Sequence, residues 1–234
     1  MVCAIHQPNY LPYPGFFDKI LKSDVFIIYD TAQFRKNNFQ NRNRVCSSDG
    51  WQWLTVPVKH SFGQMIKDVE IENPLKALKS NWMKLQSLYG KAPHFKQYSS
   101  TFESIYSSKY CELAKLNYDL ITAICSILNL NPKFIKSSSL GEIESKRTEA
   151  LIKMCKKVGA NTYISGESGK SYLDVEMIEN SGIKIIFQDF VHPVYRQFNN
   201  NTFQPYMSII DLIFNYGKEG LKIISSGVNK NFIL

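Results

Sequence analysis

Short apolar runs alternate along the chain with polar stretches and with apolar-striped segments of helical spacing. Met1–Ile5 is apolar throughout and reads as a short buried strand. It runs straight into the polar, proline-rich elbow of AIHQPNYLPYPGFF (residues 4–17). Over Pro14–Lys22 the spacing predicts a helix, with proline in its first turn and Phe16, Phe17, Ile20 and Leu21 on one face. SDVFIIYD (Ser23–Asp30) reads as a second strand, so the opening is a βαβ unit, which implies a parallel pair with a right-handed crossover. Trp51–Lys59 is a further strand with Pro57 demoting its end or marking an edge. Leu75–Tyr89 and Cys111–Leu128 carry helical apolar stripes, which predicts a mainly helical subdomain at about residues 72–130 between two α/β halves. Alternation then resumes. KFIKSSS is a strand ending in serines, Arg147–Lys157 a helix stopped by Gly159, TYIS a strand and GESGKS a loop. Asp174–Asn180 is a short helix stopped by Gly182, IKIIFQDF a strand, and Ser208–Tyr216 a helix stopped by Gly217.

The expected fold is one α/β domain over residues 1–234, with a mostly parallel, Rossmann-like sheet flanked by helices and a helical insertion. Open parallel sheets bind ligands beyond the carboxyl ends of their strands. The polar clusters at residues 6–15, 30–44, 137–147, 165–172 and 188–196 all follow strands, and on one sheet edge they would line one site.

Composition narrows the partners. With 234 residues, 44% hydrophobic and 21% charged, the chain can bury a large core. No apolar run approaches the ~18 residues of a membrane span, and no secretory leader precedes the first strand. The net charge of +8 comes from dispersed lysines, which fits a solvated surface or attraction of an anionic small molecule or an acidic membrane surface, and predicts no stable nucleic-acid partner. Five cysteines without a CxxC pair read as reduced, mostly buried thiols of a cytoplasmic protein. Four histidines lack metal-ligand spacing, so no metal site is expected.

Four stretches carry candidate chemistry. In the elbow, His6 follows the strand directly and can act as acid or base, or simply cap the strand, while Gln7, Asn9 and Tyr10 stand beside it as substrate contacts and Gly15 would let a phosphate approach the helix. Asp30, Gln33, Arg35, Asn41, Arg42 and Arg44 combine guanidinium forks suited to phosphate or carboxylate with groups suited to sugar hydroxyls; the alternative is a solvated loop. Ser165, Gly166, Ser168, Gly169 and Lys170 can cradle an anion, although the Walker spacing is absent and a hydrophilic turn would look the same. In FQDFVHPVYRQ, Asp189 and His192 are a candidate orienter and base, with Tyr195 nearby, against a loop that only packs its aromatics. No GxSxG elbow is present, and nothing marks Cys46 as a nucleophile.

Taken together, IHQPNYLPYPGFFDKILKSDVFIIYDTAQF, NRNRV, WLTVPVK, YISGESGKSYLD, IIFQDFVHPVYRQ and FQPYMSIIDLIFNYG resemble the WbqC-like proteins, in order and over nearly the whole chain. Proteins of that family occur in bacterial O-antigen and surface-polysaccharide gene clusters. The resemblance implies transfer of an amino acid, glycine being the usual proposal, to an amino sugar. The implied partners are a nucleotide-linked amino sugar and an acyl or aminoacyl donor, with ATP as a further option. The opening is also similar to nucleotidylyltransferase-type α/β folds, without their HxGH signature, and it keeps nucleotidyl transfer and non-catalytic sugar-nucleotide binding open as alternatives.

Overall fold

Val2–His6 (β1) and Val25–Ile28 (β2) are apolar at consecutive positions because both faces of their sheet are covered. The structure is a computed structural model and describes residues 1–143, 145, 147–198, 200 and 202–226. Pro14–Leu21 (α1) links β1 to β2, which pair in parallel from Cys3↔Val25 to His6↔Ile28. The chain then leaves the sheet. Arg42–Ser47 (β3) and Gly50–Thr55 (β4) form an antiparallel hairpin, and Val58–Lys59 (β5) pairs with Glu70–Ile71 (β6). Three helices follow, Pro74–Tyr89 (α2), Phe95–Ser107 (α3) and Leu113–Ile127 (α4). Lys133–Lys136 (β7) returns to the sheet beside β2. Arg147–Lys157 (α5) leads to Thr162–Ser165 (β8), Val175–Asn180 (α6) to Lys184–Phe187 (β9), and Ile209–Tyr216 (α7) to Gly220–Ser226 (α8).

The fold is α/β, with a five-stranded parallel sheet in the order β7-β2-β1-β8-β9. This is the Rossmann-like order, in which the chain builds outward from β1 to one side and then restarts at β8 on the other. Alternate residues serve opposite faces. Ala4, Phe26, Ile28 and Ile164 pack with Phe16, Phe17 and Ile20 of α1 and with α4, α7 and α8. Cys3, Ile5, Val25, Ile27 and Tyr163 pack with Ala150, Leu151 and Met154 of α5 and Ile178 of α6. Phe16 sets its ring 5.1 Å from Phe26, which fixes α1 over the sheet.

Three readings of the sequence need correction. Residues 42–47 are a strand, not part of a polar loop: Asn43 and Val45 are buried on one face while Arg42 and Arg44 point the other way. The Trp51–Lys59 strand is two pieces, broken at Val56–Pro57, and neither piece belongs to the main sheet. Leu21 of α1 is exposed, although its spacing placed it on the apolar face. α3 went unmarked because its serines and threonine dilute the stripe of Phe95, Phe102 and Tyr106. Four of the five cysteines are buried and all are free thiols; Cys111 is exposed. No helix among the described residues is long and apolar enough to cross a membrane.

Candidate functional site

Because the five strands run parallel, the polar segments that follow them leave one edge of the sheet. The first is the elbow, residues 7–13, and much of the chain is devoted to holding it still. Asn117 of α4 donates to the Pro8 carbonyl at 2.8 Å, and Asn43 of β3 donates to the Leu11 carbonyl at 2.7 Å. Ser208 also donates to Leu11, and the Ile209 amide to Pro12. Three distant segments thus satisfy carbonyls that the prolines and the left-handed Leu11 (φ 42°) expose. Tyr10, a candidate contact, is fully buried, with its hydroxyl on Tyr106 and Asn81. Gln7 accepts a hydrogen bond from Gln40 at 2.6 Å. Gly15 is not open to a phosphate: a Cβ there would run into the Tyr13 ring and Phe190. Asn9 is buried, and its side chain makes no hydrogen bond to the described residues.

His6 closes β1 at the point where the strand order reverses, with β8 as its neighbour. Its Nδ1 lies 3.0 Å from the Gln7 carbonyl, and a carbonyl only accepts, so Nδ1 carries the proton and Nε2 keeps its lone pair. Burial, and then the ammonium of Lys19, hold His6 down to about 3, so the ring is neutral over the whole physiological range. Lys19 itself lies on α1, only 3% exposed. Burial lowers it to about 8. Its neighbour Asp18 is engaged elsewhere, by Lys22 at 2.9 Å and Gln188 at 2.7 Å, and Gln188 also holds the Gly15 carbonyl. Gly166, the first residue after β8, faces the Lys19 amine: a Cβ built there would lie 3.4 Å from Nζ. His6, Lys19 and the Ser165–Gly166 step therefore meet across β1 and β8.

The rest of the 165–172 segment winds into a single 3₁₀ turn, Glu167–Ser171. Lys170 is paired with Glu167 at 2.7 Å on the surface, and Ser168 is exposed. Gly169 is there for packing, since a Cβ would collide with Ser165 Oγ and press on Leu173 at 3.0 Å. Gly169→Ala is accordingly expected to cost about 1–2 kcal/mol in urea unfolding. Removing the obstructing hydroxyl in the Ser165→Ala/Gly169→Ala double variant is expected to restore most of it; equal losses in both would show that the Ser165 contact is not the cause.

The segment after β9 does not form the Asp189–His192 pair. His192 Nδ1 donates to the Pro193 carbonyl at 3.0 Å, and Nε2 accepts the Tyr206 amide at 3.1 Å. Both nitrogens are spent on backbone, burial lowers the ring's basicity, and Asp189 is exposed. Tyr195 is buried with its hydroxyl on Asp211, 2.8 Å away, and Gln197 adds a second donor to the same oxygen. This internal network includes Cys46, whose thiol burial and Asp211 push up to about 11.

Asp30 is likewise internal. Its carboxylate accepts from Ser137 Oγ, the Ser138 amide and Ser138 Oγ at 2.6–2.9 Å, which caps the turn after β7. Asn41 is buried and clamps Val56 at the hairpin base. Gln33 and Arg35 are exposed on the intervening loop. Arg42 and Arg44 form a cluster of their own. The Arg42 guanidinium lies 4.1 Å from the Trp53 ring centre, and that of Arg44 lies 4.5 Å from Trp51. The Nε of each is buried without a partner among the described residues. They leave β3 on the face opposite Asn43, hence away from the elbow that Asn43 holds. A groove of 290 Å³ between the end of β4 and the start of α2, lined by Thr55, Pro57, Glu72 and Lys76, contains none of these candidates.

Residues 7–223 match the model of the WbqC-like protein family. The chain belongs to that family. It is 37% identical over 221 residues to the uncharacterized protein Rv1507c of Mycobacterium tuberculosis, a match covering 92% of this chain and 94% of the relative. No solved structure matches it. The cluster at the end of β1 holds His6 and Gly166, which were among the residues expected from the sequence, together with Lys19, Asp18 and Gln188, which were not. Lys19 had a signal: it falls three residues after Phe16 and next to Ile20, on the apolar face of α1.

Proposed function

We propose that the protein is a sugar-tailoring transferase that forms an amide between the amino group of a nucleotide-linked amino sugar and an acyl or aminoacyl donor, glycyl being one such group. Membership of the WbqC-like family supports the class of reaction. The observation that carries the proposal to particular residues is His6, neutral and with Nε2 free of any hydrogen bond to the described residues, at the reversal point of the sheet. In the reaction the amine nitrogen attacks the donor carbonyl, the new C–N bond forms, and the bond to the donor's leaving group breaks. The leaving group is a thiol, an adenylate or a tRNA hydroxyl according to the donor. The amine must shed one proton, which the leaving group or solvent finally takes. Nε2 accepts the amine N–H and aims the nitrogen lone pair at the carbonyl.

The test is incubation of the protein with nucleotide-activated amino sugars and glycyl donors, with and without ATP, read by mass spectrometry. An acylated sugar nucleotide is expected, with His6→Gln about tenfold slower, the worth of one aligned hydrogen bond. ATP consumption with pyrophosphate release and no acylated sugar would favour nucleotidyl transfer. Tight sugar-nucleotide binding with no turnover, unchanged in His6→Gln, would make the protein a binding module.

A further inference from the structure

We propose that Lys19, facing the bare backbone of Gly166, is the anchor for a phosphate of a nucleotide ligand, and that the charge this phosphate brings turns His6 into a working base. The inference deepens the reading above and rests on it for the role of His6, while the anion site stands on the geometry alone.

Lys19 is 3% exposed, and its ammonium makes no hydrogen bond or ion pair among the described residues. The Asp18 carboxylate attracts it, but does not offset burial and is itself shared with Lys22 and Gln188. A buried cation whose nearby counter-charge is shared in this way gains from an anion supplied from outside the chain. The place where it waits is informative. β1 and β8 are neighbours that the chain fills in opposite directions, and this reversal point in open parallel sheets receives phosphate-bearing ligands. Gly166 leaves that side of the amine free of side-chain atoms, with Nζ 3.4 Å from where a Cβ would stand. The net charge of +8 favours a multiply charged anion over a single carboxylate.

The consequence for chemistry follows from the coupling of the two side chains. Lys19 is one of the two influences that keep His6 unprotonated, burial being the larger. A phosphate on Lys19 cancels that influence and adds negative charge near the ring, so Nε2 is a stronger base with the ligand in place than without it.

Calorimetric titration at pH 8 in two buffers of different ionisation enthalpy tests this, with pyrophosphate, uridine and thymidine diphosphates, ATP and glycine as probes. The wild type is expected to bind the diphosphates and to take up about half a proton, because Lys19, near 8 when empty, becomes fully protonated on the anion. Lys19→Met is expected to weaken binding about ten- to a hundredfold and to abolish the uptake, while the surface control Lys153→Met changes neither. The nucleoside diphosphate and ATP arms distinguish a sugar-nucleotide site from an ATP site. Equal affinity in Lys19→Met, binding without proton uptake, or binding of glycine and of no phosphate would each overturn the inference. An amide product formed equally well by Lys19→Met would remove the anchor and leave the transferase reading standing. Lys19-dependent diphosphate binding with no acylated product would do the reverse.

Discussion

Lys19→Met is expected to stabilise the protein by about 3 kcal/mol at pH 7, even as it damages the site. The lysine is buried, and burial lowers its folded value from 10.5 to about 8. Between those two values the unfolded chain binds the extra proton, so wild-type stability rises with pH across that window. Below pH 8 the ammonium is charged in both states, and the folded protein bears the full cost of holding it out of water. Methionine has a similar length and no charge, so it fills the same space without that cost. Its advantage should be constant from pH 6 to 8, shrink as the pH climbs, and vanish near 10.5. Urea unfolding at pH 7 and at pH 10 measures both ends. A variant less stable than wild type at pH 7 would mean that the amine has a compensating partner, and the case for an empty anion site would fall with it. A residue that lowers stability where it stands, next to an unengaged imidazole at the reversal point of a sheet, is the pattern expected of a functional group.

Sequence made the sheet readable because its signals are local. Residues 2–6, 25–28, 162–165 and 184–187 are short, mostly apolar runs with polar segments behind them, and nothing in the tertiary structure overrides that. The hairpin of β3 and β4 was hidden because its buried polar residue, Asn43, serves the elbow rather than solvent, which erases the contrast that marks a half-buried strand. The same effect blurred the site. Amides and acids in polar segments look alike whether they face a ligand or another carbonyl. Asn41, Asn43, Asp30 and Tyr195 are spent inside, on Val56, Leu11, Ser138 and Asp211. The proline-rich elbow depends on these bonds: a loop that must end a strand at a fixed imidazole cannot satisfy its own carbonyls, so asparagines and a serine from elsewhere do so. His192 is held the same way, through two backbone contacts that no spacing rule reveals. What sequence could not supply was the closeness of His6 to Lys19, which depends on α1 bringing the amine to Gly166 at the end of β8.

Asp211→Asn is expected to change the shape of the stability–pH curve as well as its height. Asp211 is fully buried, and burial raises it from 3.8 to about 6. The groups that face it are Tyr195 and Gln197 from the segment after β9, Tyr89 from α2 and Cys46 from β3; the first three favour its charged form without outweighing burial. The folded state therefore holds the extra proton between pH 3.8 and 6, so the contribution of Asp211 is fully present below about pH 4 and lost as the pH rises through 6. Above 6 the buried carboxylate costs about 3 kcal/mol, which asparagine removes while still accepting from Tyr195 and Gln197. His6 works in the opposite sense. Its folded value of about 3 against 6.5 means that the unfolded chain takes up the proton first, and stability is lost as the pH falls. In the wild type the two slopes largely cancel between about pH 4 and 6. Asp211→Asn should thus be more stable than wild type at pH 8, match it near pH 4, and show the uncompensated acid sensitivity of His6 in between. His6→Gln should show the mirror image, gaining stability as the pH drops towards 4. Urea midpoints at pH 4.5, 6 and 8 for the three proteins decide it: parallel curves would mean that neither buried group titrates as its surroundings dictate.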